Sequence, residues 1–234
     1  MPYLNSITQE GKDIGACNTI FLRTTPTGTR ELCGTNTDCV GVREAFYQNL
    51  PFSVTPELYK GKPGLIIGGG GACRSAVYAL KQYMGCSPIY IVNRDLLEVN
   101  AVLESCLVAG YGDDLIHIKT VAQAQQLEVP VAIVSSVPNF PPVTPAEIVV
   151  REIIKTFLVK ETKGQILEMC YHPSPYTEIG DLAEGLGWDV ILGTEAMIYQ
   201  GLEQDRIWTG KELLELPGKE VKAAIAQVLK THAR

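Results

Sequence analysis

Short apolar runs alternate along most of the chain with longer segments whose apolar positions recur at helical spacing. Six runs predict strands, at LII (65–67), PIYIV (88–92), LIHIK (115–119), VAIVSS (131–136), QILEMC (165–170) and DVIL (189–192). The segments between them predict helices, at 72–84, 96–110, 121–127, 144–158 and 176–187. Because the strand runs are continuously apolar, the pattern indicates an α/β fold in which helices cover both faces of a parallel sheet.

The segments before and after this alternation have a different pattern. TIFLRTTPTGTRELC (19–33) predicts a β-hairpin with Pro and Gly in its turn. The stretch 51–64 is rich in Pro and Gly and predicts a connecting loop. Further helical patterns lie at 37–50, 195–208 and 219–232. Thr37 or Asn36 is predicted to cap the first of these helices.

The stretch GLIIGGGGACRSA (64–76) places four glycines between a predicted strand and a predicted helix. Gly68, Gly70 and Cys73 occupy the three small-residue positions of the dinucleotide-binding turn G-x-G-x-x-G/A. The first position allows a tight bend, the second lets the backbone approach a pyrophosphate, and the third allows helix and strand to pack closely. Amides at the start of the helix then bind the phosphates. The turn predicts a Rossmann-like, doubly wound parallel sheet.

Asn93, Arg94 and Asp95 follow the next predicted strand, where a ribose reader is expected. An Asp there accepts a hydrogen bond from the ribose 2′-hydroxyl of NAD and repels the 2′-phosphate of NADP, whereas an Arg pairs with that phosphate. If Asp95 instead caps the helix that begins at Leu96, its carboxylate is occupied and Arg94 decides. The residues alone leave both cofactors open.

Composition narrows the class of protein. The net charge is −6, and without a Lys/Arg cluster this argues against nucleic acid as a partner. No apolar run approaches the roughly 20 residues needed to span a bilayer, and the N-terminus is unlike a signal peptide. The seven cysteines are scattered without a CxxC pair, which predicts buried free thiols in a reducing, cytoplasmic compartment. No metal-ligand spacing is present, so no metal is expected.

Polar residues interrupt the apolar pattern at three further places: Asn18 in GACNT, Asp38 in GTNTD, and Gln200 in MIYQG. Singly they are typical of a turn, a helix cap and a solvated helix face. Together with the glycine turn, Tyr-x-Pro-x-x-x-Thr (171–177) and WTG (208–210), they resemble the shikimate/quinate dehydrogenase family over Gly15 to Gly210. The chain looks most like the family's fungal members of quinate catabolism.

The resemblance implies hydride transfer between a nicotinamide and the carbon that bears the 3-hydroxyl of quinate or shikimate. It implies that Asp38 belongs to a Lys–Asp pair that handles the hydroxyl proton, and that Asn18, Gln200 and Tyr171 bind the substrate. The implied cofactor is NAD, with NADP as the alternative. Its implied ligands are Gly68, Gly70, Gly71, Ala72 and Cys73 at the pyrophosphate, Asn93, Arg94 and Asp95 at the adenosine ribose, and Ser135, Ser136, Val137, Gly193 and Met197 near the nicotinamide.

The chain departs from the family's pattern near its start. The family's catalytic Lys lies in a Pro-x-Lys stretch shortly before GAxNT, a position that would fall upstream of Met1, and Lys12 does not match it. We therefore expect a remnant of the substrate domain (1–37), a nucleotide-binding domain (38–195) and closing helices (196–234).

Two expectations follow from this departure, and one alternative to an enzyme stays open. The chain should show little or no turnover, because Asp38 lacks its Lys partner. Unpaired strand edges should favour association, including self-association. The alternative to an enzyme is a non-catalytic sensing module, like the dehydrogenase-like region of the fungal quinate repressor.

Overall fold

The computed structural model describes residues 3–231, so the predictions that reach residues 1–2 and 232–234 lie outside it. The strands are β1 (Ser6–Ile7), β2 (Thr19–Thr24), β3 (Arg30–Thr35), β4 (Gly64–Ile67), β5 (Ile89–Val92), β6 (Leu115–His117), β7 (Ala132–Ser135), β8 (Gln165–Glu168) and β9 (Asp189–Leu192). The helices are α1 (Gln9–Ile14), α2 (Asp38–Tyr47), α3 (Gly71–Tyr78), α4 (Leu96–Val108), α5 (Val121–Gln126), α6 (Pro145–Leu158), α7 (Glu178–Gly185), α8 (Gly193–Thr209) and α9 (Gly218–Thr231).

Six of these strands form one parallel sheet in the order β6-β5-β4-β7-β8-β9. Ile66 of β4 lies opposite Ile91 of β5 on one side and Val134 of β7 on the other. Strands β4, β5 and β6 are added toward one edge of the sheet, and β7, β8 and β9 are added toward the other edge. The order in which strands are added therefore reverses between β4 and β7, although all six strands are parallel. At such a switch point the carboxyl ends of the central strands open a crevice for ligands. The predicted Rossmann-like sheet is confirmed.

Each face of this sheet carries its own hydrophobic core. On one face, α2, α3 and α4 bury Phe46, Val77 and Val102 against the strands. Helices α5, α6 and α7 pack against the other face. There the ring of Phe157 stacks on that of Tyr90, with 5.6 Å between the ring centroids. Every residue of the four inner strands, β5, β4, β7 and β8, is buried because both faces are covered, and this explains their largely apolar sequence runs, whereas the edge strands β6 and β9 are partly exposed.

The N-terminal segment forms a separate three-stranded sheet in the order β1-β3-β2. The predicted hairpin is confirmed as β2 and β3, which pair antiparallel. The sequence pattern missed β1, whose two residues pair parallel to β3, and also α1, which Thr8 caps. Ile20 and Leu22 of β2 are more than half exposed, so part of this sheet is not covered by the described residues.

Helices α2 and α8 join the two sheets. Gly41 of α2 permits their close approach, since a Cβ there would lie 2.5 Å from the carbonyl oxygen of Ala196. Thr37 occupies the cap position of α2 but makes no side-chain cap bond, and Asn36 Oδ1 instead accepts a hydrogen bond from the amide of Cys39 at 3.3 Å. No helix within residues 3–231 has the length and apolar character to cross a membrane.

The seven cysteines form no disulfide, and five of them are buried. This confirms the predicted free thiols for the buried members, while Cys17 and Cys170 are partly exposed. Over residues 3–231, no cluster of three or more His, Cys, Asp or Glu side chains is arranged to hold a metal ion.

Candidate active site

The glycine turn connects β4 to α3 at the crevice. Gly68 has a φ of +130°, which only glycine adopts readily, and a Cβ there would lie 2.5 Å from Ser136 Oγ. A Cβ on Gly70 or Gly71 would meet nothing within 4 Å, so space remains beside the start of α3. Gly70 provides no side chain to cap the helix amides. The amides of Gly71 and Ala72 are therefore available to a phosphate, whereas the amide of Cys73 donates to the Gly70 carbonyl at 3.2 Å, and the geometry fits a dinucleotide turn.

The remaining residues predicted for the pyrophosphate have two different environments. Gly71 and Ala72 are exposed in the first turn of α3. Cys73 is fully buried between helix and sheet, and burial raises the pKa of its thiol to about 12. Cys73 therefore occupies the small packing position between the turn and the sheet.

A cavity of about 420 Å³ opens above the turn, at the carboxyl ends of β4, β5 and β7. Its wall includes most of the residues predicted to bind cofactor along the crevice: Gly68, Gly70, Asn93, Arg94, Asp95, Ser136 and Val137. Ser135 lies one residue deeper and is fully buried in β7. The volume falls within the range of small-molecule sites, and the wall combines apolar side chains with polar and charged ones.

The structure separates the three candidate ribose readers. Asp95 is the N-cap of α4, and its Oδ1 accepts hydrogen bonds from the amides of Leu97 at 2.8 Å and Glu98 at 3.3 Å. Asn93 Nδ2 donates to Glu98 Oε2 at 2.7 Å, close to the glycine turn. Arg94 forms an ion pair with Glu147 of α6. Of the two alternatives for Asp95, the helix cap is the one that occurs.

A second polar group lies where β2, α2 and α8 meet. Asn18 Nδ2 donates to Asp38 Oδ1 at 2.8 Å and lies 3.5 Å from Gln200 Oε1. Asn18 Oδ1 accepts from the amide of Thr37 at 2.9 Å and from Thr19 Oγ1 at 2.9 Å. Three residues that were predicted separately are thus brought together. We call Asn18, Asp38 and Gln200 the amide–carboxylate cluster.

Burial raises the pKa of Asp38, and the hydrogen bond from Asn18 opposes this in part. A carboxylate with a raised pKa is a better proton acceptor than an ordinary aspartate. Asn18 is exposed, and both Asp38 and Gln200 are half-buried. The cluster is therefore open to a ligand.

Sequence reasoning missed two supports of this cluster. Thr37 is fully buried, and its Oγ1 accepts from Asn18 Nδ2 at 3.0 Å. Gln204 Nε2 donates to the same Thr37 oxygen at 3.3 Å. Gln204 follows Gln200 by one helical turn, and residues at i and i+4 lie on the same helix face. This spacing is the sequence signal that could have placed Gln204 beside the cluster.

Tyr171, Gly193 and Met197 lie near the ends of β8 and β9. Tyr171 is 43% exposed in the loop after β8, and no hydrogen bond joins it to the amide–carboxylate cluster within the described part of the chain. A Cβ on Gly193 would lie 2.6 Å from the carbonyl oxygen of Met169. Gly193 thus lets the start of α8 pack against the loop that carries Tyr171. Neither Gly193 nor Met197 lines the cavity above the glycine turn.

Glu168, at the end of β8, is a buried carboxyl group that the sequence pattern did not single out. Its Oε2 accepts from Thr177 Oγ1 at 3.0 Å and its Oε1 from the amide of Cys170 at 3.2 Å. Burial raises its pKa to about 7, against the opposing effects of these hydrogen bonds and the charge of Arg151. Glu168 fixes both ends of the loop that carries Tyr171.

The fold and these groups define a Rossmann-like protein with a dinucleotide turn and a nearby polar cleft. No protein-family model matches the chain. The quinate dehydrogenase of Emericella nidulans is 47% identical to it, in an alignment that covers 98% of this chain and 71% of the relative. The chain therefore belongs to the quinate and shikimate dehydrogenase family, whose members are oxidoreductases.

Solved structures agree with this assignment. The dehydroquinate dehydratase and shikimate dehydrogenase part of S. pombe AroM has a TM-score of 0.77 at 28% identity, covering 94% of this chain and 39% of that one. The quinate dehydrogenase from Corynebacterium glutamicum in complex with NAD has a TM-score of 0.69 at 20% identity, covering 96% of this chain and 72% of that one. At 20% identity, the likeness to the C. glutamicum enzyme shows a shared fold only.

Proposed function

We propose that the chain is the nucleotide-binding part, with part of the substrate site, of an NAD(P)-dependent quinate or shikimate dehydrogenase. The observation that carries the proposal is the amide–carboxylate cluster, in which Asn18 and Gln200 meet although 182 positions separate them. The half-buried amide of Gln200 discriminates between polyhydroxylated rings, because leaving it unpaired is costly. A related dehydrogenase at 47% identity supports the same substrate class.

The cofactor we propose is a nicotinamide dinucleotide, with NAD favoured. The glycine turn offers the space and the helix amides that a pyrophosphate needs. Structurally similar dehydrogenases were solved with either cofactor, the quinate dehydrogenase from C. glutamicum with NAD and a shikimate dehydrogenase with NADP⁺. When bound, the nicotinamide ring supplies the hydride acceptor for oxidation of a secondary alcohol.

The residues of the chain handle the substrate and its proton. A secondary alcohol is a weak acid, so loss of its C–H hydride requires that a base accept the hydroxyl proton. Asp38 supplies or positions that base, since Asn18 holds its Oδ1 at 2.8 Å. Asn18 and Gln200 orient the ring hydroxyls, and Tyr171 contacts the substrate carboxylate. The reverse reaction returns the proton and the hydride to the carbonyl.

Isothermal titration calorimetry of the purified chain with NAD⁺, then with quinate or shikimate, tests this proposal. We expect saturable NAD⁺ binding, and we expect Asp38→Asn to weaken binding of the hydroxy acid while leaving NAD⁺ binding unchanged. Absence of binding by both ligands would contradict the proposal. In a steady-state assay with NAD⁺ or NADP⁺ we expect little turnover, and robust oxidation would refute that part of it.

A further inference from the structure

Arg94 is the residue that would pair with the 2′-phosphate of NADP, and a carboxylate already accompanies it. The Arg94 guanidinium lies at the mouth of the cavity with its side chain 62% exposed, and its Nη1 contacts Glu147 Oε1. Glu147 comes from α6 and also lines the cavity. Its side chain is only 19% exposed.

Glu147 is held in place independently of Arg94. Its Oε2 accepts hydrogen bonds from the amides of Thr144 at 2.8 Å and Val143 at 3.0 Å, and Thr144 Oγ1 accepts in return from the amide of Glu147. This reciprocal capping box fixes the carboxylate at the start of α6. Glu147 is therefore pre-positioned for Arg94, and a ligand cannot displace it without disrupting the start of the helix.

The other charged groups of the cavity lead to the same expectation. Three carboxylates line it, from Asp95, Glu98 and Glu147, against the two guanidinium groups of Arg94 and Arg151. Arg151 also has a partner, since its Nη1 lies 3.1 Å from Glu178 Oε2. Each of these two cations is thus paired within the described chain.

A 2′-phosphate and a 2′-hydroxyl respond to this wall in opposite ways. A phosphate would bring up to two negative charges beside the three carboxylates and would have to compete with Glu147 for Arg94. A hydroxyl can donate a hydrogen bond to a carboxylate, and Glu98 lies beside the glycine turn, where a Cβ on Gly69 would be 2.8 Å from its Oε2.

We propose that Glu147 is a specificity-determining residue of the cofactor cavity. By pairing with Arg94, it withdraws that guanidinium from a 2′-phosphate and makes the cavity selective for NAD over NADP. The inference rests on the proposed function, because it concerns the same nucleotide site. It also explains why an Arg after β5 does not by itself predict NADP in this chain.

Calorimetric affinities of NAD⁺ and NADP⁺ for Glu147→Gln test the inference at one fixed ionic strength. Gln keeps an acceptor oxygen for the capping box but removes the charge. We expect the NADP⁺ affinity to rise about tenfold and the NAD⁺ affinity to change less than about twofold. An unchanged melting temperature will confirm that α6 is intact.

Two further variants separate this role from a general loss of negative charge. Glu152→Gln removes one charge from the same helix, but Glu152 is exposed, pairs with Lys155 and does not line the cavity. We expect it to leave the NADP⁺ affinity unchanged. In the double variant Arg94→Gln/Glu147→Gln, we expect the gain in NADP⁺ affinity to disappear, because Arg94 mediates it.

The outcomes are distinguishable. Normal NAD⁺ binding with an unchanged NADP⁺ affinity in Glu147→Gln would overturn this inference and leave the proposed function standing. An equal gain in Glu152→Gln, or a gain that survives the loss of Arg94, would also overturn it. If the unmodified chain bound neither nucleotide, the proposed function would fail and this inference with it.

Discussion

The two candidate ligand sites of the molecule are built in different ways. At the glycine turn the backbone forms the site: Gly68 adopts a positive φ, and Gly70 and Gly71 leave space beside helix amides. At the amide–carboxylate cluster, side chains form the site, and Asn18 makes hydrogen bonds to residues of β2, α2 and α8. The turn is therefore local in sequence, whereas the cluster exists only when distant elements have packed.

This difference predicts which substitutions destabilise each site. A backbone site is sensitive to any added Cβ at the wrong position, since the peptide cannot rotate away. A side-chain site is sensitive to changes of charge or donor, and its loss costs less because solvent replaces part of the lost hydrogen bonding. Three variants test this contrast.

Gly68→Ala has the largest expected effect. Alanine at this position would have to adopt a φ of +130°, which an L-residue rarely adopts. Its methyl group would also lie 2.5 Å from Ser136 Oγ, which would then have to give up its hydrogen bond to the Ile67 carbonyl. We expect the free energy of unfolding to fall by about 3 to 4 kcal/mol. Urea unfolding followed by circular dichroism measures it.

Gly70→Ala is the matched control, two residues away. Its φ is −79° and its Cβ would meet nothing within 4 Å, so the free energy of unfolding should change by less than about 1 kcal/mol. The methyl group would nevertheless occupy the approach of a pyrophosphate, and NAD⁺ affinity should fall at least about tenfold. Equal destabilisation by the two variants would contradict a turn built by backbone geometry.

Glu168→Gln comes second and tests a side-chain group inside the six-stranded sheet. The carboxyl ionises near 4.5 when unfolded and at about 7 when folded, so between these values the folded chain binds more protons. The contribution of Glu168 to the free energy of unfolding should therefore decrease as pH rises from 4.5 to 7, by about 3 kcal/mol at most. Gln does not titrate, so the variant should lack this decrease.

Urea unfolding at pH 5 and pH 7.5 measures this difference, with Glu152→Gln as the control. Glu152 is exposed and paired with Lys155, so its variant should follow the unmodified chain. Parallel pH profiles for Glu168→Gln and the unmodified chain would show that Glu168 is not the group that titrates.

Asn18→Asp has the smallest expected effect. It removes the donor to Asp38 and places two carboxylates side by side, although Asn18 is exposed and solvent screens the repulsion. We expect a loss of about 1 kcal/mol at pH 7 that becomes smaller at pH 4, where one carboxyl is protonated. Asn100→Asp, on the exposed face of α4, is the control, and a loss of similar size there would mean that the cluster contributes nothing specific.

Much of the nucleotide-binding fold could be predicted from the sequence. Continuous apolar runs identified all six strands of the large sheet, because both of its faces are covered. The glycine turn was also predictable, since its residues are consecutive. By contrast, β1 was missed because two residues carry no periodicity, and its pairing with Cys33 and Gly34 depends on tertiary packing.

The side-chain partners could not be predicted in the same way. The capping box from Thr144 to Glu147 is visible in the sequence, but the pairing of Glu147 with Arg94 spans 53 positions. Similarly, the pattern allowed Asp95 to read a ribose or to cap a helix, and only the path of α4 decides this. Local chemistry limits what a residue can do, and the packed fold determines which partner it has.

Of the two tryptophans of the chain, one packs in the core of the six-stranded sheet and the other lies between α8 and β2. Trp188 is buried beside α6 and donates to the Leu158 carbonyl, while Trp208 of α8 is 56% exposed and donates to the carbonyl of Ile20 on β2. Their indoles therefore differ in emission wavelength and in access to a soluble quencher. The chain carries its own pair of optical reporters, one for the large sheet and one for the junction beside the amide–carboxylate cluster.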